Sequence, residues 1–161
     1  MVLYILYDYN YGDLYRKEPD MEKGFLISVL TKQEIEGQKE ELEVMTKASL
    51  VFSENGYEIS YTEEEEDGTQ SVTNLTVKNG SITVNREGVI STHMVLTKGV
   101  RNLSHHVTPY GAFSMGVEAT VIESDMNSGG GILRFVYNTD IEQKPLGEIE
   151  FDITLNPIGK E

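Results

Sequence analysis

The sequence predicts an all-β protein, a single antiparallel β-barrel of eight to ten strands. Glycines that indicate turns recur every 8 to 19 residues between Gly37 and Gly147 and divide the chain into short segments. Asn55-Gly56, Asp67-Gly68 and Asn79-Gly80 are typical of tight hairpin turns, because glycine tolerates the positive φ that such turns require. Between these turns the residues alternate between apolar and polar, which is the pattern of antiparallel strands with one buried face.

The apolar residues of each segment share one strand face. The clearest examples are residues 57–61, 73–77, 113–121 and 149–155, and we expect Leu75, Val117, Phe151 and Ile153 to be buried. Gly37 indicates a turn within the polar segment 31–42, rather than a helix. So many consecutive strands must either close on themselves or fold into two sheets, because open edges favour aggregation. Segments longer than ten residues suit tilted barrel strands, so an up-and-down or meander-like barrel is favoured over a sandwich.

Composition excludes several functional classes. The chain has 161 residues, enough for one domain to fold without stabilising disulfides or metals. It contains no cysteine that could form a disulfide or a thiolate site. Its net charge of −14 opposes binding to nucleic acids and to anionic membranes. No apolar run approaches the roughly 20 residues of a membrane span, and residues 1–7 are not a convincing signal peptide. We therefore expect a cytoplasmic protein, and the sequence leaves its oligomeric state open.

Residues 1–20 differ from the rest of the chain. They hold five of the nine tyrosines and end at Pro19-Asp20, directly before Met21. Two interpretations stay open. In the first, the segment is an arm that packs against the barrel or against a partner protein. In the second, it is a disordered tail or an artefact of an upstream translation start. Residues 21–161 are predicted to form the barrel domain.

Four segments carry a pattern that is shared with known proteins: residues 57–63 (Tyr-Glu-Ile-Ser-Tyr-Thr-Glu), Gly99-Val-Arg101, Thr108-Pro-Tyr-Gly111 and the following strand with Met115-Gly116. Together these segments resemble the YwiB-like family, a bacterial domain of unknown function. The resemblance covers about residues 24–155 and leaves out the first 20. It implies a calycin-like antiparallel β-barrel, the broad architecture of lipocalins and fatty-acid-binding proteins. It implies no activity, since a fold does not determine a function.

No motif predicts catalysis, a metal or a cofactor. His105 and His106 are adjacent, so on a strand their side chains point to opposite faces and cannot readily share a metal. The acidic run 63–66 lacks the alternating oxygen ligands of a calcium loop. Residues 129–131 are three glycines without the helix and the lysine of a phosphate-binding loop. We therefore expect that the protein is not an enzyme and that it binds neither a metal nor a cofactor.

A ligand site is predicted near the turn that contains Tyr110. Pro109 and Gly111 favour a sharp turn there, and Tyr110 either plugs the end of the barrel or contacts a ligand. Arg101 and His105 lie on the same face of their predicted strand as Leu103 and Val107. If that face points inward, the two cations form an internal network or anchor a ligand carboxylate; if it points outward, they are surface residues. The predicted ligand-binding residues are Tyr61, Arg101, His105, Tyr110, Phe113 and Met115.

Two functions compete. The first is binding of a small ligand in the barrel, for example an anionic amphiphile such as a fatty acid, although the charge of −14 would slow capture of an anion. The second is a non-catalytic protein-interaction or structural domain with a filled barrel. The volume of the barrel interior discriminates between them.

Overall fold

The computed structural model describes residues 24–159. Within this range every regular element is a β-strand. The ten strands are β1 (Phe25–Ile35), β2 (Gln38–Ser53), β3 (Gly56–Glu64), β4 (Gln70–Lys78), β5 (Ser81–Glu87), β6 (Ser91–Thr97), β7 (Arg101–Thr108), β8 (Gly111–Asn127), β9 (Gly130–Ile141) and β10 (Lys144–Pro157). The expectation for residues 1–20 lies outside the described residues.

The ten strands form one closed up-and-down barrel. Each strand pairs antiparallel with its neighbours in sequence, and β1 closes the barrel by pairing with β10 from Phe25↔Pro157 to Ile35↔Gly147. The predicted fold class, barrel type and strand number are therefore confirmed. The strand β9 is the element that the alternation alone does not reveal. Residues 24–159 contain no helix with the length and apolar character of a membrane span.

The three Asn-Gly and Asp-Gly pairs lie at or beside hairpin turns, but only Asn79-Gly80 forms a two-residue turn of the predicted kind, and Asp67-Gly68 lies in the longer turn 65–69. Asn79 and Gly80 both have positive φ, 53° and 79°, as a primed two-residue turn requires. The hairpin at Asn55-Gly56 differs, because Ser53 pairs with Gly56 and the glycine is therefore the first residue of β3. A side chain at Gly56 would overlap the backbone carbonyl of Val77, so close approach of two strands explains this glycine.

The two ends of the barrel differ in the residues that point inward. We call the end with the turns at residues 54–55, 79–80, 98–100 and 128–129 the apolar end, and the end with the turns at 36–37, 65–69, 88–90, 109–110 and 142–143 the polar end. Near the apolar end the inward residues are almost completely buried aliphatic side chains: Ile27, Ile59, Ile82, Leu96, Leu133 and Leu155. Near the polar end the same strand faces continue with Gln33, Glu40, Glu63, Arg86, Thr92 and His106.

The structure decides the face of β7, which the sequence left open, and corrects the predicted face of β8. On β7 the inward residues are Asn102, Ser104 and His106, whereas Leu103 and Val107 are more than half exposed on the outer face. On β8 the register shifts between Ala119 and Val121, so Val121 does not continue the inward face of the preceding residues. Leu75, Val117 and Ile153 are buried as predicted. Phe151, which was also expected to be buried, is only half-buried.

Candidate functional site

Two adjoining cavities occupy the middle and the polar end of the barrel. The inner cavity has a volume of about 160 Å³ and lies among core side chains. The outer cavity has a volume of about 270 Å³ and lies against the β1–β2 hairpin. Tyr61, Arg86 and Phe151 line both cavities. A molecule that enters at the polar end therefore meets a polar rim first and an apolar interior behind it.

Stacked aromatic rings form one wall of the inner cavity. Phe135 and Phe151 have ring centroids 4.9 Å apart and planes inclined by only 14°. Tyr137 lies nearly parallel to both, with centroids 6.4 Å from Phe135 and 6.5 Å from Phe151. Burial raises the pKa of Tyr137, so its phenol stays neutral near neutral pH. This wall suits a flat apolar group, since offset aromatic rings attract one another.

His106 lies on a different wall of the inner cavity. Its Nε2 is 2.8 Å from Ser104 Oγ and its Nδ1 is 3.3 Å from Thr92 Oγ1. The ring stacks on Phe113 with centroids 4.9 Å apart. Burial, followed by repulsion from His105, lowers the pKa of His106. The imidazole is therefore neutral near neutral pH and offers hydrogen-bonding nitrogens rather than a positive charge.

Arg86 carries the positive charge that both cavities share. It donates from Nη1 to Glu63 at 2.9 Å and from Nη2 to Glu65 at 3.2 Å. The Glu63 side chain is 14% exposed and also lines the outer cavity. Burial, and then the Glu63 carboxylate, raise the pKa of Tyr61 to about 12. Because two carboxylates balance one guanidinium, the rim has no excess positive charge to offer an anion.

Two hydroxyl groups of β4 are buried without a hydrogen-bond partner among the described residues. They are Ser71 Oγ and Thr73 Oγ1, and Thr73 lines the inner cavity. The Thr73 hydroxyl lies close enough to the Tyr61 phenol to offset part of the rise in the Tyr61 pKa by hydrogen bonding to its ionised form, but in the folded protein the two groups fall short of hydrogen-bond geometry. A buried polar group without a partner is uncommon, so Thr73 offers a free hydrogen bond to an occupant of the cavity.

The structure brings only part of the predicted site to the cavities. Tyr61 lines both of them. Phe113 reaches the site through its stacking on His106, although its side chain remains 48% exposed. Met115 is half-buried, and its backbone carbonyl accepts a hydrogen bond from Ser104 at 3.2 Å. Phe113 and Met115 therefore support the wall that contains His106 and do not themselves line either cavity.

The other three predicted residues point away from the cavities. Arg101 forms a two-point ion pair with Asp140, at 2.9 and 2.6 Å, on the outside of the barrel. This pair crosses directly over Gly116, where any side chain would overlap the guanidinium. His105 lies on the outer face and contacts Ser114. Tyr110 is 97% exposed, so it does not plug the barrel. Its turn does lie at the polar end, where the cavities are.

Four residues that line the inner cavity were not predicted from the sequence: Arg86, His106, Phe135 and Tyr137. Arg86 carried a usable signal, since it continues the inward phase of Ile82 and Val84 on β5. His106 gave no such signal, because the apolar residues of β7 occupy the opposite face. Within residues 24–159 no group of three or more His, Cys, Asp or Glu side chains is arranged to hold a metal ion.

Comparison with known proteins agrees with this architecture. Residues 27–153 match a family model described as "Domain of unknown function (DUF1934)". The chain belongs to this family. It is similar to a solved structure titled "Crystal structure of ywiB protein from Bacillus subtilis", with a TM-score of 0.75 and 21% sequence identity over 87% of this chain and 94% of that chain. At this identity the likeness establishes the fold alone. No curated protein matches the chain.

Proposed function

We propose that this member of the family is a non-enzymatic ligand-binding protein that takes one small amphiphilic molecule into the polar end of its barrel. The supporting observation is that two cavities meet at Tyr61, Arg86 and Phe151, at one end of a barrel whose other end contains almost completely buried aliphatic side chains. The binding is expected to need no metal or cofactor. The net charge argues against nucleic acids and anionic membranes as partners, and the lack of cysteine suits a cytoplasmic protein.

The dimensions of the inner cavity restrict the ligand. A volume of about 160 Å³ is close to that of cavities that accept a single benzene ring. A long alkyl chain does not fit such a space. The nearly parallel rings of Phe135, Tyr137 and Phe151 favour a flat ring over a branched aliphatic group. Thr73 supplies an unused hydroxyl for one polar substituent.

The charges at the rim restrict the ligand further. Among residues 24–159, the outer cavity is lined by the three carboxylates of Glu40, Glu41 and Glu63 but by only one arginine or lysine, Arg86. Arg86 is already held by two carboxylates, and the proposed carboxylate anchor Arg101 lies outside the barrel. The polar end of the ligand is therefore expected to be neutral or cationic rather than a carboxylate.

A matched series of single-ring probes tests this proposal. Tyramine, 4-hydroxyphenethyl alcohol and 4-hydroxyphenylacetate share one ring and carry a cationic, a neutral and an anionic group. We expect saturable binding of the first two in calorimetric titrations, and weaker binding of the acid. Val84→Phe, which fills the inner cavity, should abolish binding, whereas Arg101→Ala should leave it unchanged. Equal binding by Val84→Phe and the wild type would contradict the proposal.

Native mass spectrometry of protein purified from its own host provides an independent test. A retained small molecule, lost from Val84→Phe, would support the proposal. The alternative function, a structural or interaction domain with a filled barrel, is favoured by the close packing near the apolar end. It predicts that none of the three probes binds and that no molecule is retained.

A further inference from the structure

A row of polar side chains crosses the outer face of the barrel from β4 to β8. Its members are paired directly opposite one another on successive strands: Asn74 with Asn85, Asn85 with His93, His93 with His105, and His105 with Ser114. Directly opposed residues of antiparallel strands have Cβ atoms about 4.5–5.5 Å apart. The row therefore places two exposed imidazoles side by side, although they are separated by twelve positions in the sequence.

Hydrogen bonds on the two far sides of this pair orient both rings. His93 Nδ1 is 2.5 Å from Asn85 Oδ1 on β5, and His105 Nδ1 is 3.0 Å from Ser114 Oγ on β8. Both contacts lead away from the other histidine. In an imidazole the edge that carries Nε2 lies opposite Nδ1. The two Nε2 atoms are therefore turned towards the space between the rings.

The contact with Asn85 selects the protonation form that a metal requires, and the contact with Ser114 permits it. An amide oxygen only accepts hydrogen bonds, so the proton shared with Asn85 belongs to His93 Nδ1, and Nε2 keeps its lone pair. The Ser114 hydroxyl can accept in the same way from His105. Histidines that bind metals through Nε2 commonly donate their other N–H to an oxygen in this way.

We propose that His93 and His105 chelate one late transition-metal ion, such as Zn²⁺, Ni²⁺ or Cu²⁺, through their Nε2 atoms. Imidazole nitrogen is a preferred ligand of these three ions. Water completes the coordination, because both residues lie exposed on the outer face. The net charge of −14 raises the local concentration of cations around the chain. This site is separate from the cavities and does not depend on the proposed ligand.

The position of the pair gives the bound ion a structural consequence. The ladder between β6 and β7 contains only three residue pairs, of which His93↔His105 is the last. The side chain of Asn102 spans part of the remaining gap by donating to the Val95 carbonyl at 2.8 Å. An ion held by both histidines joins the two strands where their backbone pairing ends, and it is therefore expected to stabilise the barrel.

Isothermal titration of the untagged full-length chain with ZnCl₂ and with NiCl₂ tests this proposal. The chain has three histidines, so His93→Gln, His105→Gln and His106→Gln cover all of them. We expect one ion per chain, at least tenfold weaker binding by each of the first two variants, and unchanged binding by the third. Asn85→Leu, which removes the orienting acceptor, should weaken binding about tenfold.

Thermal unfolding gives a second readout that also reports whether each variant is folded. Added Zn²⁺ should raise the midpoint of the wild type and of His106→Gln, and should leave the midpoints of His93→Gln and His105→Gln unchanged. Absence of binding by the wild type would overturn the proposal. The proposal would also be overturned if metal binding survived in His93→Gln or in His105→Gln, or if it were lost in His106→Gln.

Discussion

The two ends of the barrel are built on the same ten strands but perform different tasks. Near the apolar end, inward positions hold aliphatic side chains such as Ile82 and Leu96, neither of which is exposed. Four residues away along the same strands, the inward positions are Arg86 and Thr92, and both line the inner cavity. Each strand therefore contributes stability at one end and hydrogen-bonding groups at the other. This separation allows the polar end to change without unfolding the barrel.

The largest expected effect is on stability at the apolar end. Leu96→Ala removes a completely buried side chain and should lower the free energy of unfolding by about 2–5 kcal/mol. Thr92→Ala, on the same strand at the polar end, removes one methyl group and a hydroxyl 3.3 Å from His106, and should cost only about 1 kcal/mol. Urea denaturation of both variants measures the difference. Similar losses would show that the two ends do not differ in this way.

Alkaline pH should weaken the barrel through Tyr61. Burial raises its pKa to about 12, so the folded chain holds the proton more tightly than the unfolded chain, whose tyrosines titrate near 10. This contribution is complete below pH 10 and is lost as the pH rises towards 12, by about 2–3 kcal/mol. Tyr61→Phe should show a correspondingly smaller loss than the wild type in denaturation at pH 9 and pH 11.5. Identical losses of stability in Tyr61→Phe and the wild type would show that Tyr61 is not responsible for the alkaline effect.

Removing the free hydroxyl of the inner cavity should separate stability from binding. Thr73→Val keeps the shape of the side chain and removes a buried oxygen that has no hydrogen-bond partner. We expect the free energy of unfolding to rise by up to about 1 kcal/mol, while 4-hydroxyphenethyl alcohol binds more weakly. Denaturation and calorimetry measure the two changes. A loss of stability instead would indicate that the hydroxyl is satisfied in the empty protein.

A smaller effect is expected at mildly acidic pH. Burial lowers the pKa of His106, so the unfolded chain binds the proton more readily than the folded chain. The contribution of the neutral imidazole is therefore complete above about pH 6.5, the usual histidine pKa, and is lost as the pH falls below it. His106→Gln should make the midpoint of thermal unfolding less sensitive to pH between 7 and 5. An unchanged sensitivity would assign the acid effect to other groups.

The sequence predicted the barrel well because hairpin turns and alternation are local signals. Asn79-Gly80 has the positive φ angles that its dipeptide indicated. The face of β7 was not predictable in this way, since Leu103 is exposed while Ser104 is buried. Ser104 tolerates burial because its hydroxyl contacts His106 and donates to the Met115 carbonyl. These partners lie on the folded chain and leave no trace in the local pattern.

The candidate site was predicted only in part for a related reason. The turn of Tyr110 correctly indicated the end of the barrel, and Tyr61 lines both cavities. The sequence allowed Arg101 to point into the barrel. In the structure the pairing of β7 with β8 and of β8 with β9 brings Arg101 and Asp140 together over Gly116, on the outside of the barrel. Such partners depend on the register between strands, which a single sequence does not specify.

The central claim, that the polar end receives a small ligand while the apolar end does not, is tested most directly by NMR. Methyl spectra of the full chain would be recorded during titration with 4-hydroxyphenethyl alcohol. We predict saturable shifts for Leu75, Val84 and Met94, which line the inner cavity. Ile27 and Leu155, near the apolar end, should change little. Absence of saturable shifts, or shifts confined to Ile27 and Leu155, would contradict this account.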